Sequence, residues 1–255
     1  VSLADGVALV RLNYPQRRNC MDLAMTAAWT RLLADLTREP TLRAVVLTGV
    51  GTAFSSGGDT SWIGADAELG IQALRERMLR YYRSWLAVRD LPVPVIAALN
   101  GPAVGAGAAL ALACDIRWAS DLASMSFPFT RLAIHPGMGS TWLLREVAGN
   151  AVARDLLLTG RPVRGAELLQ LGLVTRVLDV EDFGVTVASF AAEIALTAPI
   201  AERSTLSSLR ATKIGSLHEA LEAEAQAQAI TMTSADLVEG LAAARERRAP
   251  RFEGR

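Results

Sequence analysis

Apolar positions along the chain fall first into short runs separated by amphipathic stretches, and later into helical patterns alone. Val7 to Asn13 is a short apolar run ended by Tyr14-Pro15, and predicts a strand. Asp22 then caps a helix predicted to reach about Arg38, with Leu23, Ala27, Leu32, Leu33 and Leu36 near helical spacing. Ala44 to Leu47, closed by Gly49, and Val95 to Leu99, stopped by Asn100-Gly101-Pro102, read as buried strands. Asp115 to Ala119 and Leu173 to Val177 are further strand candidates. Helical patterns fill 72–88, 106–113 and 151–158. Strands alternating with helices predict parallel pairing and an α/β fold. Beyond about residue 185 only helices are predicted, so the chain divides into a core (1–190) and a helical subdomain (191–255) packed on it or on a neighbouring subunit.

Composition narrows the function classes. The chain has 255 residues, 51% of them hydrophobic and 20% charged, a globular balance with a sizeable core. Lys plus Arg and Asp plus Glu are 26 each, so no net basic field attracts nucleic acid. Cys20 and Cys114 form no CxxC pair, and with two histidines far apart neither a disulfide framework nor a metal site is expected. Val93 to Ile116 is nearly free of charge and long enough to span a bilayer, but Pro94, Gly101, Pro102, Gly105 and Gly107 break it. The first residues carry no basic-then-apolar leader; a soluble, cytoplasmic protein is the expectation.

Candidate chemistry sits in two glycine-containing turns, each following a strand. The first is Ala53-Phe54-Ser55-Ser56-Gly57-Gly58-Asp59, and the second is Asn100-Gly101-Pro102-Ala103-Val104-Gly105-Ala106-Gly107. The second leads into Ala108 to Ala113, a run of strong helix formers. A glycine turn before a helix leaves unpaired N–H groups at the positive end of the dipole, suited to a phosphate or an oxyanion. If the two strands are neighbours, both loops leave one sheet edge and can aim N–H groups at one oxygen. Tight turns and close helix packing would explain the glycines of a single loop equally well. A dinucleotide fingerprint is matched only at its first two glycines, with Leu110 at the third, and neither GxxxxGK[ST] nor GxSxG occurs.

These blocks resemble the crotonase, or enoyl-CoA hydratase/isomerase, superfamily over nearly the whole chain. The resemblance runs from Asn13-Tyr14-Pro15 through Ala44 to Gly49, Phe54 to Asp59 and Pro94 to Ala103. It continues through Ala113 to Ile116, His135 to Gly139, Leu157 to Arg161 and Gly172 to Val177, and ends beyond Glu239-Gly240. It implies a spiral of ββα units with a helical C-terminal trimerisation region, often assembled as a dimer of trimers. It also implies an acyl-CoA thioester as ligand, with no cofactor beyond that coenzyme A, and a place in fatty acid metabolism. The thioester oxygen would be held by the backbone N–H groups of Gly58 and Ala106. Arg17 and Arg18 would approach the nucleotide end of CoA, and Phe252 would serve the adenine pocket of an adjacent subunit.

The resemblance also exposes departures. Hydratases of the family carry two glutamates that activate water; the matching positions here are Ala109 and Phe129, and the isomerase carboxylate position is Gly137. Each general acid–base group is worth roughly 10²–10⁴-fold, so ordinary hydration is disfavoured against isomerisation, decarboxylation or related enolate chemistry of a lyase or isomerase. His135 is the replacement proton carrier to be weighed against a merely structural loop histidine. Trp62, Asp66, Ala109, Phe129 and Trp142 are expected around the acyl group. A non-catalytic acyl-CoA-binding or assembly subunit is the alternative.

Overall fold

The computed structural model describes residues 1–61, 69–211 and 216–255. The chain opens with a hairpin in which β1 (Ser2–Ala4) pairs antiparallel with β2 (Val7–Leu12) through Asp5-Gly6. Both turn residues have positive φ, +49° and +78°, the two-residue geometry that matches strand twist and that Asp-Gly favours. Helix α1 (Leu23–Arg38) starts as the sequence predicts, with the Asp22 carboxylate accepting the Met25 N–H at 2.8 Å. Then come β3 (Ala44–Gly49), α2 (Ile71–Leu86), β4 (Val95–Leu99), β5 (Ala103–Val104) and α3 (Ala106–Ala113). They are followed by β6 (Ile116–Ser120), β7 (Ser124–Ser126), α4 (Ser140–Thr159), β8 (Val163–Arg164), α5 (Ala166–Gln170) and β9 (Arg176–Leu178). Four helices finish the chain: α6 (Val180–Ala195), α7 (Pro199–Arg210), α8 (Leu217–Met232) and α9 (Ala235–Glu246).

Among the described residues, the larger sheet has the order β1-β2-β3-β4-β6-β9, parallel from β2 onward, and the smaller has the order β5-β7-β8. Successive units give one strand to each sheet and then a helix: β4-β5-α3, then β6-β7-α4. That succession is the ββα spiral the resemblance implied. The large sheet is covered on both faces, which explains its unbroken apolar strands. Val45, Leu47, Val95, Ala97 and Leu99 face α1 to α4, while Val46, Ile96, Ala98 and Trp118 pack on Phe183, Val187 and Ala191 of α6.

Three details differ from the sequence expectation. The foreseen boundary at residues 190 and 191 falls inside α6, whose apolar stripe covers the sheet. The strand foreseen over 173–177 is displaced to Arg176–Leu178, because the Leu173 and Val174 amides bond Leu168 O and close the turn after α5. The 151–158 helix is the second half of α4, which breaks at Gly149 (φ +78°). The membrane-length apolar stretch divides into β4, β5 and the fully buried α3, and no single described helix is long and apolar enough to cross a membrane. In the C-terminal region the Arg210 guanidinium bonds Asp115 and the Arg89 and Leu91 carbonyls, anchoring α7 to the core.

Candidate active site

Because β3 and β4 are parallel neighbours, the two glycine loops leave the same edge of the sheet. Two asparagines tie them together. Asn100 accepts the Gly49 N–H at 3.0 Å and donates to Gly51 O at 2.9 Å. Asn19, fully buried, aims its amide N–H₂ at the carbonyls of Val50, Ala53 and Phe54 and accepts the Tyr14 N–H at 2.9 Å. Loop carbonyls that would otherwise be buried without donors are thus satisfied. A short ladder then joins the loops directly: Phe54 N and Ser55 N donate to Pro102 O, and Val104 N donates to Ser55 O at 2.9 Å.

The approach is closer than any side chain would permit. A Cβ on Gly57 (φ +87°) would lie 2.4 Å from Val104 O, and one on Gly107 would lie 2.7 Å from Ser55 O. The chain enters α3 through Gly105 at φ +55°, and no side chain caps the helix. Consequently the Ala106 N–H is an orphan of the first turn. Among the described residues, neither it nor the Gly58 N–H donates a hydrogen bond, and both residues line one cavity of about 300 Å³. Two unpaired donors opening on one apolar space can receive a single oxygen carrying developing negative charge.

Directly after Gly58, Asp59 receives a two-pronged bond from Arg17, both arms 3.0 Å, and a further bond from the Ser61 hydroxyl at 2.7 Å. The guanidinium and Ser61 hold its carboxyl at about 2, so the loop is braced by an ionised pair at neutral pH. The far wall comes from α2, where Leu74, Arg77, Met78, Tyr81 and Tyr82 recur at helical spacing and all line the cavity. Stacking of Trp29 on Trp85, centroids 5.0 Å apart, and the Tyr81 hydroxyl bond to Met21 O at 2.9 Å hold that helix in place. Tyr82 is half-buried, and burial raises its pKa, keeping the phenol protonated. A Cβ on Gly137 would sit 2.5 Å from the Tyr82 hydroxyl, so the phenol fills the space into which a side chain at 137 would project. His135 is exposed at the rim, with Nδ1 2.8 Å from Pro136 O. A carbonyl only accepts, which assigns the proton to Nδ1 and leaves Nε2 free for proton exchange.

Of the residues singled out from sequence, Gly58, Ala106, Phe129 and His135 meet on this cavity. Ala109 does not: it is fully buried in α3, its N–H donating to Gly105 O, because every face of that short helix is enclosed by core. Trp142 does not either: it lines a separate hollow beside Cys114 and Arg117, under the Arg89 guanidinium at 5.4 Å. Trp62 and Asp66 lie outside the described residues. The Arg17 guanidinium is taken up by Asp59 rather than left for a phosphate, whereas Arg18, at φ +50°, is exposed. Phe252 packs beside Gly240 on α9. Sequence reasoning missed Asn19, Arg77 and Tyr82. The last two carried a legible signal, the 74/77/78/81/82 stripe, in which two polar residues interrupt an apolar face. No Asp or Glu lines the cavity among the described residues.

Comparison with known proteins agrees with this geometry. Residues 2–255 match the enoyl-CoA hydratase/isomerase family. The chain is 38% identical over 246 residues to a Thermus thermophilus protein that carries an enoyl-CoA hydratase name, covering 96% of this chain and 97% of that one. It is 32% identical over 251 residues to the 1,2-epoxyphenylacetyl-CoA isomerase of Escherichia coli, covering 98% and 96%. The crystal structure of enoyl-CoA hydratase from Bacillus anthracis superposes with a TM-score of 0.91 at 34% identity, over 98% of this chain and 96% of that chain.

Proposed function

Since the chain belongs to the enoyl-CoA hydratase/isomerase family, we propose that the Gly58 and Ala106 N–H groups hold the carbonyl oxygen of an acyl-CoA thioester and stabilise its enolate. The observation that carries this reading is the pair of N–H groups, both without acceptors among the described residues, at one apolar cavity. Donors fixed where charge develops favour the enolate over the ground state, and removing one typically costs ~10²–10³-fold in rate.

Within the family, isomerisation, decarboxylation or a related enolate reaction fits this chain better than hydration. Support comes from Phe129, which lines the cavity at a position that the resemblance matches to a hydratase glutamate, and from the isomerase name of one relative. In isomerisation a base takes a carbon-bound proton, the electron pair moves onto the thioester oxygen, and the proton returns at another carbon. In decarboxylation the bond from the α-carbon to a 3-carboxylate breaks, carbon dioxide leaves, and the electron pair forms the same enolate. His135, through Nε2, is the proton carrier in either scheme, delivering its proton to carbon from the imidazolium form. No cofactor beyond coenzyme A is needed. Exposed Arg18 would meet the nucleotide end, and Phe252 would do so from a neighbouring copy. Exposed Leu221, Ile230, Val238 and Leu241 on α8 and α9 support assembly as a trimer or dimer of trimers.

The test is incubation with acyl-, enoyl- and carboxyacyl-CoAs in deuterated water, followed by mass spectrometry. Deuterium uptake or loss of carbon dioxide supports enolate chemistry, and addition of water contradicts the preference against hydration. Bound thioester with no change anywhere in the panel favours an acyl-CoA-binding or assembly subunit.

A further inference from the structure

We propose that Tyr81 is a positioning residue for the first of the two donors: its hydroxyl holds Met21, and the Met21 N–H turns the Gly57–Gly58 peptide so that the Gly58 N–H faces the cavity. The inference rests on the acyl-CoA reading above and names what aims one donor of that site. A trans peptide carries its C=O and N–H on opposite sides, so whatever holds the oxygen also aims the hydrogen. Both donor peptides are held in this way, by different means. Gly105 O accepts the Ala109 N–H at 3.0 Å, a bond of the first turn of α3, so the Ala106 donor is aimed by its own helix.

The Gly58 donor is braced from outside its loop. Its peptide lies between two residues without Cβ, Gly57 at φ +87°, and such a peptide turns over at little steric cost. The Met21 N–H donates to Gly57 O at 2.8 Å, and a parallel bridge sets Met21 beside Gly58. Met21 is fixed in turn from α2, where the Tyr81 hydroxyl donates to Met21 O at 2.9 Å. Tyr81 is 6% exposed and Met21 1%, so this bond is made away from solvent. Burial pushes the phenol pKa up, and the hydroxyl stays protonated and donating at neutral pH. Hydrogen bonds thus lead from α2 through residue 21 to the cavity. Each polarises the next, so a Gly57 carbonyl that accepts makes the Gly58 N–H of the same peptide a better donor. Tyr81 also lines the cavity, so one helix shapes the acyl wall and aims the donor behind it.

The experiment compares the full chain with Tyr81→Phe, which keeps the ring and deletes the hydroxyl, using butyryl-CoA labelled with ¹³C at the thioester carbon. Exchange of the α-protons with deuterated water should slow by roughly tenfold or more, because the donor is no longer held on its target. Affinity for butyryl-CoA should stay within about threefold, the split that marks an interaction made mainly in the transition state. The infrared stretch of the bound carbonyl should move back toward its value in free solution. A folded Tyr81→Phe protein with wild-type exchange and wild-type carbonyl frequency overturns the proposal. A fall in rate matched by an equal fall in affinity overturns it too, because the cavity rather than the donor has then changed. Should Tyr81→Phe not fold, an amide-to-ester replacement at residue 21 removes the Met21 N–H itself and should give the same split; undiminished exchange there overturns the proposal. If the folded wild-type protein does not bind butyryl-CoA, the acyl-CoA reading itself falls. A wild-type carbonyl displacement that persists in Tyr81→Phe removes only the positioning role.

Discussion

Replacing Gly107 by Ala sets two physical effects against each other. Helix propensity alone favours Ala inside α3 by roughly 1 kcal/mol. The structure predicts the opposite sign. An added Cβ would lie 2.7 Å from both Cβ and O of Ser55 and 2.8 Å from its Oγ, where ordinary contact begins at 3.4 Å, so helix and loop must part by about 0.7 Å. Ser55 cannot yield by rotating, because its Oγ donates to Asn19 O at 2.8 Å and its carbonyl accepts Val104 N. Overpacking of this kind costs ~1–3 kcal/mol, which for a chain of this size lowers Tm by roughly 4–8 °C at the middle of the range. Parting the loops also spreads the Gly58 and Ala106 donors. Misplacement by about 1 Å can cost ~10²-fold, so the rate of α-proton exchange should fall roughly 10- to 100-fold. Thermal unfolding and deuterium exchange into a bound thioester measure the two effects separately. A Gly107→Ala protein that is as stable as the parent, or more so, and exchanges as fast would refute the close-approach argument.

Other substitutions probe the remaining supports. Asn19→Ala strands the Phe54 carbonyl and leaves Ala53 O only the long 3.4 Å bond from Asn100, and should cost about 1–3 kcal/mol in urea unfolding, the cost of one unsatisfied buried group; a loss under about 0.5 kcal/mol would deny Asn19 its role. The folded Asp59 carboxyl, at about 2, lies below its unfolded value of about 3.9, so its stabilisation is complete above about pH 4 and fades as pH falls through 2. The stability gap between wild type and Asp59→Asn should therefore narrow from pH 5 to pH 2, and a constant gap would contradict the Arg17 pairing. His135→Gln should slow proton exchange by roughly 10²-fold or more while thioester binding persists; unchanged exchange would remove His135 as the proton carrier.

Much of this was legible before the structure. The strands Ala44 to Leu47 and Val95 to Leu99 could be read because a sheet buried on both faces demands unbroken apolar runs, and Asp22 announced α1 through its capping chemistry. The loop glycines pointed to the donor pair because backbone N–H groups need only a fold, not a particular side chain, to act. Other features depend on tertiary context. Nothing local says that Asn19 lies against three carbonyls of a loop more than thirty residues away, or that Asp59 claims Arg17 before any phosphate could. Ala109 looked like a cavity position by alignment, yet α3 is so short and so enclosed that residue 109 turns into the core. Two signals were present and went unread: Asp5-Gly6, which closes the β1–β2 hairpin, and the polar interruptions of the α2 stripe at Arg77 and Tyr82.

The central claim is that two backbone donors polarise one thioester carbonyl, and the carbonyl itself can report it. Isotope-edited infrared spectroscopy of a saturated acyl-CoA labelled with ¹³C at the thioester carbon reads that bond in the bound state without requiring turnover. The account predicts a stretch moved to lower frequency than in free solution, with most of the displacement lost in Gly107→Ala. A bound thioester whose carbonyl vibrates as it does in water would contradict the assignment of Gly58 and Ala106.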